Sequence, residues 1–122
     1  TAKELLRLAD SARLFGSSSR ATEALQTLRR RLPETADAST AAYRLGLTAF
    51  EMDEAYGQAA RWFEVYLREQ PSGPLMGDAF GRMMQARARA GDGPGARESA
   101  EQYLHRFPKG PYAREARGIL SK

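Results

Sequence analysis

The side chains that most often carry chemistry are sparse in this 122-residue chain, which has one histidine, His105, and no cysteine. An imidazole needs companions: further ligands to hold a metal, or a carboxylate and a nucleophile to relay a proton. His105 has no cysteine or second histidine to share either task, and it reads as a surface residue. The lack of cysteine also excludes disulfides, thiolate nucleophiles and cysteine-ligated metal. Acidic residues are scattered, with no Asp or Glu pair set in an apolar surround of the kind that tunes a general acid and base. The run Gly91-Asp92-Gly93-Pro94-Gly95 lacks the Gly-Lys-Ser/Thr ending and the preceding strand of a phosphate loop, so it reads as a turn. No catalytic, cofactor-binding or metal-binding constellation is expected, and no enzymatic activity.

Basic chemistry is the other possibility. The formal charge is +4, from 19 Lys and Arg against 15 Asp and Glu. The excess is modest and interleaved with acidic residues, which is how an ordinary solvated surface looks. A polyanion site would require Arg82, Arg87, Arg89, Arg114 and Arg117 to converge on one face, and it would bind with steep salt dependence. The densest run, Arg29-Arg30-Arg31, falls at the end of a helical segment, where cations complement the negative end of the helix dipole.

The elements that must position these groups are read from a repeat. Tyr66 to Pro74 (YLREQPSGP) and Tyr103 to Pro111 (YLHRFPKGP) are near copies at an offset of 37 residues, from 66 to 103. Aligning on Pro33, Pro71 and Pro108 gives three units, about 2–33, 39–71 and 75–108, followed by a terminal segment 112–120. Each unit reads as two helices. In the first, Leu5, Leu8, Ala9 and Ala12 share a face at i, i+3, i+4, i+7 spacing, Gly16 and Ser17 to Ser19 break the pattern, and Ala21, Ala24, Leu25, Leu28 and Leu32 resume it. The second unit repeats this with Ala42, Leu45, Gly46 and Ala49, then Ala59, Trp62 or Phe63, Tyr66 and Leu67. The third uses Ala79, Met83, Met84 and Ala86, then Ala96, Ala100, Tyr103 and Leu104. Asp92 is placed to cap the helix after its turn, and Pro74 and Pro111 stand at expected first helical positions. The second unit carries one extra residue in its internal turn, between Glu51 and Ala55.

These residues resemble the tetratricopeptide repeat. Leu45-Gly46, Ala49, Ala59, Phe63, Tyr66 and Pro71 stand at the pattern's places, as do Gly91-Asp92, Ala96, Tyr103 and Pro108, and the first unit offers Leu8-Ala9, Ala12, Gly16, Ala21, Leu25 and Pro33. The closing tag FPKGPYAREAR is similar to repeats of bacterial cell-envelope proteins, such as the periplasmic coordinator of the Tol-Pal system and the lipoprotein that assists outer-membrane assembly. It is also similar to repeats of anti-sigma and iron-sensing regulators. The resemblance implies an all-α domain spanning 1–122, a right-handed α-solenoid of three hairpins closed by a C-terminal capping helix. It implies binding of a protein or peptide in a concave groove lined by the first helix of each unit, or packing against another domain of a parent chain. The groove positions would be Leu6, Asp10 and Arg13, then Tyr43, Leu47 and Phe50, then Gln85, Ala88 and Arg89.

Tyr43, Leu47 and Phe50 form a second apolar face on their helix, which means either an exposed patch or burial on all sides. On the groove reading, replacing Tyr43 and Phe50 with alanine weakens partner capture and leaves melting unchanged. Self-association through an uncapped end is the alternative use of such an array. The chain begins TAKELLRLAD, without methionine, and reads as a processed product or excised domain. The envelope resemblance favours the periplasm over the cytoplasm, and no apolar run reaches a membrane-spanning length.

Overall fold

Seven helices and no strand make up the computed structural model, which describes Thr1 to Lys122. They are α1 (Ala2–Leu14), α2 (Ser18–Arg31), α3 (Ala36–Glu51), α4 (Tyr56–Glu69), α5 (Met76–Arg89), α6 (Gly93–Arg106) and α7 (Ala113–Leu120). Each packs on its neighbours in sequence, and α1 also touches α3. No helix is long and apolar enough to cross a membrane.

The boundaries follow from local chemistry. Gly16 and Gly91 adopt φ of 76° and 80°, a left-handed turn that glycine enters without steric cost. Behind them the amides of Ser17 and Asp92 reach back to the carbonyls of Ala12 and Arg87, the closure that ends a helix after a left-handed residue. The Ser17 hydroxyl and the Asp92 carboxylate then accept the amides of Arg20 and Gly95, starting α2 and α6. The corresponding turn of the middle hairpin, Met52 to Ala55, holds the expected extra residue, with Glu54 at φ 51°.

The duplicated segment explains the connection between hairpins. The Tyr66 hydroxyl accepts the amide of Leu75 at 3.0 Å, and the Tyr103 hydroxyl accepts that of Tyr112 at 3.2 Å. Both rings are 1 % exposed. A Cβ on Gly73 would collide with the Tyr66 hydroxyl, and one on Gly110 with the Tyr103 hydroxyl, so only glycine lets the chain pass that close. Pro74 and Pro111 do not open the next helix, as the sequence suggested. Each sits inside a turn closed by Met76 N–H to the Gly73 carbonyl, or by Ala113 N–H to the Gly110 carbonyl. Proline's fixed φ suits the second position of such a turn.

The first connection is built differently. Leu28 occupies the place of the tyrosines, Glu34 turns the chain at φ 65°, and the Thr35 hydroxyl accepts the amide of Ala38 to cap α3. Arg29 supplies the tie across this joint. Its guanidinium donates to both Glu69 oxygens (3.1 and 2.8 Å) and to the Ala38 carbonyl (2.8 Å). Its role therefore extends beyond complementing its own helix dipole.

Alanines at the helix contacts allow close approach, and the buried apolar residues form two clusters. One joins Ala9, Leu25, Leu28 and Leu45. The larger runs from Tyr43 and Phe63 through Met84 and Tyr103 to Ala116. Helix α3 is the wall between them, and Gly46 lets it press on Phe63, whose ring would lie 2.6 Å from a Cβ there. One residue of the first stacking face departs from expectation. Leu8 is 60 % exposed, because the helices that α1 packs on, α2 and α3, leave that side of it uncovered.

Removing the hydroxyl under each turn tests this account. Tyr66→Phe and Tyr103→Phe should each lower stability by about 1–2 kcal/mol through an unpaired amide, read as a shift of the urea midpoint. Gly73→Ala should cost at least as much. Unchanged midpoints in both phenylalanine variants would show that the turns hold without the hydroxyl.

Candidate functional site

One side of the molecule is formed by α1, α3, α5 and α7 in order, and polar contacts stitch each to the next. Arg44 on α3 donates to Asp10 on α1 at 2.7 Å, and Arg13 donates to Glu51 at 2.6 Å. Glu51 also receives Arg82 of α5 at 3.7 Å. Asp78 accepts the hydroxyls of Tyr43 and Tyr112, each at 3.4 Å, and Gln85 donates to Glu115 of α7 at 2.9 Å. Pairs this exposed contribute little to stability individually, on the order of 0–1 kcal/mol. What they fix is the spacing and orientation of neighbouring helices.

The positions read from sequence as groove residues divide into two kinds. Leu6 and Leu47 are half-buried, Asp10 and Arg89 are exposed, and Arg13 and Gln85 are half-buried with the partners just named. Tyr43 and Phe50 are core residues, 7 % and 6 % exposed. The Tyr43 ring packs 5.6 Å from Phe63 and 5.9 Å from Tyr66, and Phe50 meets Tyr56 edge-on at 5.1 Å. The expectation that both could be truncated without affecting melting is therefore corrected. Helix α3 lies between two hairpins, so both of its apolar faces are covered.

Phe50 nevertheless shapes the surface. The guanidiniums of Arg82 and Arg89 lie 5.6 and 4.9 Å from its centroid, and Arg89 is also 5.7 Å from Tyr56, within cation–π range. Arg13 and Arg82 thus share the Glu51 carboxylate, while Arg89 rests on Phe50 and Tyr56 with no ion-pair partner. Arg82 was legible in sequence as a member of this set, since it shares a helical face with Gln85 and Arg89 at i+3 and i+7. Glu51, Arg44 and Asp78 carried no comparable signal, because their partners lie more than thirty residues away.

Burial pushes the Tyr43 hydroxyl up to about 12, and the Asp78 carboxylate adds to the effect. Burial and Asp78 raise Tyr112 as well. Both hydroxyls stay protonated and donate to Asp78 across the whole physiological range.

Of the arginines that a polyanion face would require, Arg87 stands apart from Arg82 and Arg89. Arg82 and Arg89 lie by Phe50, whereas Arg87 points to the other side of α5, donating to Ser99 of α6 at 2.7 Å and Glu64 of α4 at 3.1 Å. Arg117 donates to the Pro108 carbonyl beyond the third hairpin.

The Glu69 carboxyl is held below its ordinary value of 4.5, chiefly by the hydrogen bonds from Arg29 and with help from Ser39, against the opposing effect of burial. A lowered carboxylate stabilises the fold above its unfolded value and loses that contribution as pH falls through its folded value.

The chain matches no known protein family, and no curated protein matches it.

Two measurements follow. Phe50→Ala and Tyr43→Ala should each cost about 3–5 kcal/mol, the range for emptying a buried aromatic position, seen as a marked drop in melting temperature. Glu69→Gln should be less stable than the wild type at neutral pH. The two urea midpoints should converge as pH falls below about 4.5; a constant gap would remove the Arg29–Glu69 pair as the cause.

Proposed function

We propose that the chain is a tetratricopeptide-like α-solenoid of three right-handed hairpins and a capping helix, and that it works by binding rather than by catalysis. The reading takes a protein segment as the ligand and the side built from α1, α3, α5 and α7 as the concave binding wall. The observation that carries it is the succession of contacts along that side, Asp10 to Arg44, Arg13 to Glu51 to Arg82, and Gln85 to Glu115. They join every second helix to the next, as expected of stacked equivalent hairpins. The shared closure of the second and third units, with Tyr66 and Tyr103 beneath matching turns, supports the same reading.

Recognition on this wall would use Leu6 and Leu47 as apolar contacts and Arg89, Arg82 and Arg13 for carboxylates of the incoming segment. Asp10 at the far end suits a basic residue, so the ligand carries mixed charge. The wall is preformed by buried packing, so ordering cost falls mainly on the ligand. The envelope-type tag FPKGPYAREAR supports a partner in the bacterial cell envelope.

Selection of peptides from a displayed library tests the proposal. Selected ligands should bind the Arg89→Glu protein at least about tenfold more weakly, because a like charge then faces the ligand carboxylate. They should bind the Arg61→Glu protein, altered on α4, unchanged. Ligands sensitive to Arg61→Glu and indifferent to Arg89→Glu would place recognition on the opposite side and overturn the reading.

A further inference from the structure

The outer face of the first hairpin is the one apolar surface the fold leaves open. Leu8 stands where the second hairpin has Leu45 and the third has Met83, counting back from Pro33, Pro71 and Pro108 and allowing for the extra residue in the turn of the second. Those two residues are 2 % and 4 % exposed, against 60 % for Leu8. Leu45 is covered within the cluster that holds Leu25 and Leu28 of the preceding hairpin. The same seat on α1 and α2 is a recess of about 410 Å³ lined by Leu5, Leu8, Phe15 and Ala24, with Arg20 and Glu23 at its edge. Phe15, at the end of α1, is 89 % exposed.

We infer that this face is covered by the same face of a second copy of the chain, the two related by a twofold axis. Two observations select that occupant. Leu8, Leu14 and Phe15 are the large apolar side chains exposed on the molecule, and all three lie on α1 or its cap. At the opposite end, Ile119 and Leu120 of α7 are packed against the core. A second copy therefore has matching apolar surface to offer at this one place, which makes the contact self-complementary rather than head to tail.

The charges agree. Arg20 and Glu23 make no ion pair within the chain. They stand three residues apart on one face of α2. When two α2 helices cross antiparallel about a twofold axis, Arg20 of each copy meets Glu23 of the other, giving two equivalent pairs around the leucine and phenylalanine contact. The recess has no net charge, so a polyanion or polycation gains nothing there, while a second copy satisfies both rim groups at once. This surface lies away from Leu47 and Arg89, and the inference holds whether or not peptides bind beside them.

Sedimentation equilibrium from micromolar to near-millimolar protein, with the intact chain, decides the matter. The wild type should shift from monomer to dimer as concentration rises, and its melting temperature should rise with it. Leu8→Asp and Phe15→Ser, at positions already exposed in the monomer, should remain monomeric throughout with unchanged helicity. Arg20→Glu alone and Glu23→Arg alone should each weaken the dimer roughly tenfold or more through like-charge contacts. An equimolar mixture of the two, or the double swap in one chain, should restore it, because every rim pair is then again of opposite sign. A wild type that stays monomeric at all concentrations overturns the inference. A dimer indifferent to Leu8→Asp places association elsewhere, and failure of the mixture to restore it rules out the twofold arrangement.

Discussion

The contact on which the rest of the structure depends is the buried tyrosine hydroxyl beneath the turn that leaves each of the last two hairpins. Tyr66 and Tyr103 accept the amides of Leu75 and Tyr112 and bring Gly73 and Gly110 against their rings. A buried amide without a partner is costly, and a side chain larger than hydrogen at those glycines has no room. The turn thus has one way to fold, and the start of α5 and of α7 follows from it. Because the same closure occurs twice, α5 leaves α4 much as α7 leaves α6. The positions of Arg82, Gln85 and Glu115 on one side of the molecule descend from that equality.

Along that side, single groups serve two neighbours. Glu51 faces Arg13 and Arg82, and Asp78 receives hydroxyls from Tyr43 and Tyr112. Each shared group links three successive helices through one point. Arg89 rests on Phe50 and Tyr56 without a carboxylate partner, so its charge is one on that side not shared with a neighbouring helix.

Features governed by short-range chemistry were legible in the sequence: the breaks at Gly16 and Gly91, the Asp92 cap, the extra residue after Glu51 and the terminal helix. Each depends on backbone conformations or hydrogen bonds within a few residues. Features that depend on how many neighbours a helix has were not. Periodicity assigns Leu8 and Leu45 to the same face, yet Leu45 is buried because it packs with Leu25 and Leu28 of the first hairpin, while Leu8 has no such cover. Tyr43 and Phe50 form a second apolar face that the sequence leaves open between surface and core, and the central position of α3 buries it. Arg29 is read locally as a dipole partner, whereas its ligands Glu69 and Ala38 belong to the next hairpin. Pro74 and Pro111 lie in turns rather than in helices because of a tyrosine several residues earlier.

The joint between α2 and α3 lacks the tyrosine strap, and a guanidinium reaching Glu69 does comparable work there. A strap made of a neutral hydroxyl is indifferent to ionic strength, but one made of opposite charges at a partly exposed site is weakened by salt and by acid. Of the three connections between successive hairpins, this is the one whose own tie is ionic.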